Sequence, residues 1–247
     1  MIAPSRWEDL RRFTTARVGL GRVGNGLPTA ATLDFQEAHA RARDAVWSAL
    51  DLDRLAADCA PLGLPVLRVA SQAADRRDYL LRPDLGRRLV EADRARLACS
   101  PTPGAFLLVV ADGLCAEAVQ AQAPPLLAAL VPLLRAARLT PGPIVLAQQG
   151  RVALGDEIGE VLQGAMVAVL IGERPGLSAT DSMGLYLTWG PRRGRSDAER
   201  NCISNIRPAG LAPRAAAEKL LWLMRAAEAL GATGVALKDE APMVPLL

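Results

Sequence analysis

"AFLLVVADG", residues 105–113, is a short unbroken apolar run that stops on Asp-Gly. A strand of this kind is covered on both faces, so the segments after it decide the fold. Downstream, "AEAVQAQAPPLLAALVPLLRAA" has helical spacing, then "PIVLAQQGRVALG" supplies a second run. "GDEIGEVLQG", "AMVAVLIGERPGLS", "GLYLTWGP" and a last helix, "PRAAAEKLLWLMRAAEAL", complete the series. Apolar strands alternating with helices predict an α/β fold: a mainly parallel, Rossmann-like sheet covered by helices. Ligands of such sheets bind where the strands end, so the segments to inspect are "ADGLCAE", "QQGRVALGDEIGE", "IGERPGLSATDSMG" and "RSDAERNCISNIRP".

Upstream the pattern changes at "CSPTPG", residues 99–104, a Pro/Gly linker. Residues 1–98 form a smaller, mostly helical, Arg-rich region in which "VLRVA" is a short strand; residues 99–247 form the α/β domain. "RWEDLRRFTTAR" places Trp7, Leu10 and Phe13 at helical spacing. "DFQEAHARARDAVWSAL" puts Phe35, Ala38, Ala42, Val46 and Leu50 on one face, with Asp34 as N-cap and Glu37 closing a capping box.

Composition narrows the chemistry. Of the 247 residues 51% are hydrophobic but only 4% aromatic, so the core is built from Ala, Leu and Val. Twenty-nine basic residues, nearly all Arg, against 26 acidic leave +3, too little to imply a nucleic-acid partner. Arg192, Arg193 and Arg195 are a local exception, read either as a solvated loop or as a seat for a phosphate or a partner's carboxylates. Cys59, Cys99, Cys115 and Cys202 lie far apart, which excludes the common zinc and dithiol spacings and fits a reducing cytoplasm. No apolar run is long and charge-free enough to cross a membrane, and no secretory h-region opens the chain. The one histidine, His39, sits on a charged helix, which disfavours Ser/His triads and most acid–base schemes.

"VGLGRVGNG" carries Gly19, Gly21 and Gly24 in the G-x-G-x-x-G spacing of dinucleotide sites. That fingerprint needs a strand before it and a helix immediately after it; here a short helix precedes, and Asn25-Gly26 and Pro28 come next. A glycine-rich loop passing close to another surface is the reading these flanks favour.

The segments "RVGLGRVGNGLPT", "DFQEAHARARDAV", "VVADGLCA", "RVALGDEIGE", "VLIGERPGLSATDSMGLYLTW", "DAERNCISNIRPAGL" and "LGATGVALKDE" run in order from Arg17 to Glu240. Together they resemble the small (light) subunit of ethanolamine ammonia-lyase, an adenosylcobalamin-dependent enzyme. The resemblance implies a carbon–nitrogen lyase that converts ethanolamine to acetaldehyde and ammonia by a radical mechanism and is inactive as this subunit alone. It implies that a large subunit holds the substrate while this chain, its N-terminal region in contact with that partner, helps close over the cobalamin. A hetero-oligomer with six copies of each subunit is implied as well.

By the same resemblance, the cobalamin contacts fall on Val152 in "GRVALGD", Glu173 in "IGERPG" and Cys202 in "RNCISN". Glu173 would accept hydrogen bonds from corrin amides, or else form an ion-paired strand end beside Arg174. Cys202 would touch the cofactor through its backbone or thiol, or else simply fill a small space. Val152 has only its main chain to offer. Asp112 and Gly113 end the first apolar run, where Asp more often caps a helix. Asn201, Ser204, Asn205 and Arg207 could hold amides or the phosphate, or equally the loop itself. The chain has no D-x-H-x-x-G motif, so the resemblance implies that dimethylbenzimidazole stays as the lower cobalt ligand. Some relatives carry an N-terminal extension directing them into a protein-shelled microcompartment. Here the family-like region begins just after "MIAPSRWEDLRRFTTA", so a cytoplasmic enzyme is expected, with encapsulation left to any signal on the large subunit. Two other readings remain: a stand-alone NAD-dependent oxidoreductase using Gly19, Gly21 and Gly24, and a non-catalytic scaffold.

Overall fold

The computed structural model describes residues 8–240 of the chain. Six strands, β1 (Val66–Ala70), β2 (Phe106–Ala111), β3 (Pro141–Gln148), β4 (Met166–Gly172), β5 (Met183–Trp189) and β6 (Arg200–Ile206), make one sheet in the order β1-β3-β2-β4-β5-β6. The first four positions are parallel, and β5 and β6 continue the sheet antiparallel. The mixed α/β class with a mostly parallel sheet is as expected.

Seven helices, α1 (Thr29–Trp47), α2 (Leu52–Cys59), α3 (Arg76–Leu81), α4 (Glu91–Ala98), α5 (Ala116–Ala136), α6 (Leu154–Leu162) and α7 (Pro213–Leu230), are present among the described residues. Alternation within β2 shows why both faces are apolar. Phe106, Leu108 and Val110 pack with α2, α5 and α7; Leu107, Val109 and Ala111 pack with α4 and α6. All six are buried, and each large side chain contributes roughly 1.5–3 kcal/mol relative to exposure. That burial also holds α5 together despite Pro124, Pro125 and Pro132 within it, each of which lacks a backbone donor. β1 pairs with β3, and Leu55 and Cys59 of α2 belong to the same core as the later strands.

Three local expectations are corrected. Part of "RSDAERNCISNIRP", expected as a crevice loop, is the edge strand β6; its buried residues Arg200, Ile203 and Ile206 recur every third position, so no strand period announces it. α1 begins at Thr29 behind Pro28 with no side-chain cap, and Asp34 lies inside the helix, 2.9 Å from Arg17, instead of capping it. Two alanines after a proline whose φ already suits a helix start this turn early. The expected apolar face of α1 is the more covered one: Ala38, Ala42 and Val46 are partly buried and Leu50, just beyond the helix, is buried, while Phe35 at its start is exposed. Of the helix expected over Trp7 to Phe13, Glu8–Phe13 is a 3₁₀ helix and Trp7 lies outside the described residues.

Among the described residues, no helix is long and apolar enough to cross a membrane.

Candidate functional site

The connections after β2 and after β4 leave adjacent strands, and their backbones touch. Leu114 donates its N–H to the Gly172 carbonyl at 2.9 Å. A Cβ on Gly113, whose φ is +58°, would lie 2.4 Å from that same oxygen, so only glycine permits the approach. Asp112, buried behind this turn, does not cap α5. Its carboxylate accepts from the N–H groups of Gln149 at 2.8 Å and Gly150 at 3.0 Å, tying the end of β2 to the end of β3. Burial pushes this carboxyl upward in pKa, opposed by those donors and by Arg76 3.9 Å away.

In front of these strand ends lies a crevice of about 330 Å³, lined by Tyr79, Arg151, Val152, Ile171, Glu173 and Tyr186 among others. Val152, from the turn after β3, and Glu173, from the turn after β4, are thus brought together. Cys202 stands beside them: it pairs across the sheet with Tyr186 and is exposed. Burial first, and then the neighbouring Cys202 and Glu173, push Tyr186 up to about 12. Desolvation also raises Cys202, with the nearby Glu173 adding to the rise, so the thiol is no ready nucleophile.

Glu173 is not ion-paired with Arg174. Ser182 donates its hydroxyl to Glu173 Oε2 at 2.5 Å, and the Asn205 N–H approaches the same carboxylate at 3.3 Å. Asn205 adopts φ 57° there and accepts from Arg207 at 2.7 Å, while Asn201 holds the C-terminal segment through Gly234 and Leu237. These two asparagines and Arg207 therefore hold the loop.

Sequence reasoning missed Tyr79, Arg151 and Tyr186. Tyr79 is 1% exposed and sandwiched between two guanidiniums, Arg76 at 4.6 Å and Arg151 at 4.1 Å from its ring centre. Burial pushes its hydroxyl up to about 12. Arg151 was visible only as the neighbour of Val152; nothing in its spacing indicated that it would stack on an aromatic ring.

The arginine cluster separates into different roles. Arg195 turns inward to the carbonyls of Trp189 and Gly190 and to Glu199, whereas Arg193 stays half exposed, 4.0 Å from Glu157. Arg200 makes a two-pronged pair with Asp156 at 2.6 and 2.7 Å, both side chains only 2% exposed. Burial raises the Asp156 carboxyl while the Arg200 hydrogen bonds pull it back.

The Gly19–Gly24 loop leads from a 3₁₀ helix, not from a strand, and Arg11 grips the Val18 and Gly19 carbonyls. Its glycines have positive φ, but the strand that the dinucleotide fingerprint demands is missing among the described residues. His39 stacks on Phe35 at 6.4 Å on the exposed side of α1. No group of three or more metal-ligating side chains exists among the described residues.

A family profile described as ethanolamine ammonia-lyase light chain (EutC) matches residues 4–238. Curated proteins named ethanolamine ammonia-lyase small subunit are similar along nearly the full length. One from Bradyrhizobium diazoefficiens is 56% identical over 94% of this chain and 90% of its own. Another from Pseudomonas syringae pv. tomato is 52% identical, covering 96% and 84%. A third, from Ralstonia nicotianae, is 51% identical, covering 100% and 92%.

Proposed function

The chain belongs to the ethanolamine ammonia-lyase light-chain family, and from that membership we propose that it is the small subunit of a carbon–nitrogen lyase and forms one wall of its adenosylcobalamin site. The observation that carries the cofactor reading is convergence: Val152 and Glu173 arise on different strand ends yet line one crevice outside the carboxyl ends of the parallel strands. We read the parallel half of the sheet as Rossmann-like in this placing of the crevice.

The residues present suit a corrin. A corrin is a broad apolar ring edged with amides, and it needs carboxylate or carbonyl acceptors, N–H donors and flat apolar surface. Glu173 supplies the first, the Val152 main chain the second, and Tyr186 with Ile171 the third. The crevice is too small to enclose a whole cobalamin, which suits one wall of a site shared with a large subunit. When bound, adenosylcobalamin supplies the radical chemistry of the deamination. Glu173, fixed by Ser182 and Asn205, presents its remaining lone pairs to an amide edge without having to reorient. Tyr186, held protonated at neutral pH, adds no charge to the crevice wall; Cys202 beside it stays exposed.

The region assigned to the large subunit is the N-terminal one, and its exposed apolar residues on the 3₁₀ helix and α1 support that docking. On this reading the chain is a cytoplasmic subunit of a hetero-oligomer.

Acetaldehyde release from ethanolamine and adenosylcobalamin tests the proposal with this chain alone, the large subunit alone and the two mixed. Activity is expected only in the mixture; activity of this chain alone, or none in any combination, overturns it. In the mixture, Glu173→Gln is expected to raise the cofactor concentration needed for half-maximal rate by roughly tenfold, through loss of a charge-assisted hydrogen bond.

A further inference from the structure

Two crevices share a wall and differ in character. The one at Glu173 is lined largely by aromatic and aliphatic groups. Its neighbour, about 400 Å³, is lined by Arg87, Arg195 and Arg200 with Ser196 and Asp197; Arg151 and Val152 line both.

The charges at the second crevice do not balance. Arg200 is answered by Asp156, and by Asp197 at 3.3 Å; Arg195 is answered by Glu199. Arg87 and Arg151 pair with no carboxylate among the described residues. Arg151 gives one N–H to the Tyr79 carbonyl at 2.8 Å, and its Nε is buried without any acceptor. A guanidinium has five N–H donors, so most of those on Arg151 and all of those on Arg87 remain unused among the described residues. On the same wall, the backbone N–H groups of Val152 and Ala153 donate to no protein group among the described residues.

Two uncompensated guanidiniums beside two free backbone donors call for an anion with several oxygens. They also arrive from different directions, Arg87 from the segment after α3 and Arg151 from the turn after β3. A planar carboxylate turns both oxygens toward one such fork, whereas a phosphodiester, tetrahedral at phosphorus, can direct one non-bridging oxygen to each guanidinium and accept through its ester oxygens as well. We propose that this second crevice is a phosphate seat, taking the phosphodiester of the cobalamin nucleotide tail while the corrin edge rests against Glu173 and Tyr186. This rests on the cobalamin reading above and adds Arg87 and Arg151 to it as binding residues.

The test is equilibrium binding to the assembled two-subunit complex, with bound corrinoid read by its absorbance after ultrafiltration. Cyanocobalamin carries the phosphodiester, whereas cobinamide has the same corrin without phosphate or base; inorganic phosphate is the third probe. Arg87 is exposed and its guanidinium has no protein partner among the described residues, so Arg87→Gln leaves the fold intact. It is expected to weaken cyanocobalamin roughly tenfold while leaving cobinamide within about twofold of the unchanged complex. Arg151→Gln is expected to do the same or more, with Arg151→Lys recovering only part because a point charge lacks the fork. If the seat also takes free phosphate, millimolar inorganic phosphate weakens cyanocobalamin but not cobinamide, and loses that effect in Arg87→Gln. Equal losses for both corrinoids, or full cyanocobalamin affinity in both glutamine variants, overturn the phosphate seat and leave the cobalamin reading standing. An unchanged complex that binds neither corrinoid overturns both.

Discussion

The sheet's crevice edge and the N-terminal arm, residues 8–47, are built on opposite principles. At the crevice edge the carboxylates are held by partners within the chain: Asp112 bridges two strand ends, Arg200 and Asp156 clasp each other, and Glu173 is fixed from two sides. On the arm the apolar groups are uncovered: Phe13 is 77% exposed, Trp47 55% and Phe35 45%. What joins the arm to itself is largely surface ion pairs such as Arg17–Asp34 and Arg41–Glu37, each worth at most about 1 kcal/mol. Its firm anchorage is at its end, where Ala45 packs on Cys115 and Ala118 and Arg76 donates to the Val46 carbonyl. Apart from the spare donors of Arg87 and Arg151, the crevice edge is held together within the chain; the arm carries apolar surface that a second protein would complete.

The widest gap between the two regions is expected in stability. Arg200→Ala leaves the Asp156 carboxylate buried without its partner, and should cost about 3–5 kcal/mol in urea unfolding of the full chain. Phe35→Ala on the arm should cost less than about 0.5 kcal/mol in the same measurement, because the ring is already in water. Similar losses for the two substitutions would break the contrast.

Next in size is an effect visible only with the partner present. Phe35→Asp should leave the unfolding midpoint of the free chain unchanged and weaken association with the large subunit by at least about tenfold, as expected when a charge enters a desolvated anchor site. Sedimentation of the mixed subunits reads the loss. Normal assembly by this variant would remove the arm from the interface and leave its exposed apolar residues without a purpose.

Both regions were only partly legible in the sequence, for different reasons. β2, β3 and β4 were plain because a strand buried on both faces leaves a continuous apolar run, and β1 showed through "VLRVA". β6 was hidden because its inward residues include Arg200, whose burial is compensated by an aspartate 44 positions earlier. The family resemblance supplied Val152 and Glu173, and folding placed them on one crevice. Tyr79, Arg151 and Tyr186 join them only through tertiary contact, which no local period encodes. On the arm, periodicity suggested an amphipathic helix but could not say that Phe35, at the start of its apolar face, would be left exposed while Val46 and Leu50 at the other end are covered.

The smallest effect concerns the turn that carries Arg195 to the rim of the second crevice. Ser196 and Glu199 form a capping box: the Ser196 N–H donates to Glu199 at 2.7 Å, and Arg195 pairs with the same carboxylate. The Ser196 backbone donor first, and then Arg195, lower Glu199 to about 2. Because the folded value lies below the ordinary 4.5, this carboxylate contributes stability that is fully present above that value and is lost as pH falls through about 2. The Ser196 amide resonance should therefore titrate with a midpoint near 2, and the core strands should show no transition linked to it, since the box is exposed. In Glu199→Gln the titration should vanish while Arg195, still held by the Trp189 and Gly190 carbonyls, keeps its place. A Ser196 midpoint near 4.5 would instead mean that the box is open in solution, and that the rim of the second crevice is less firmly built than its buried floor.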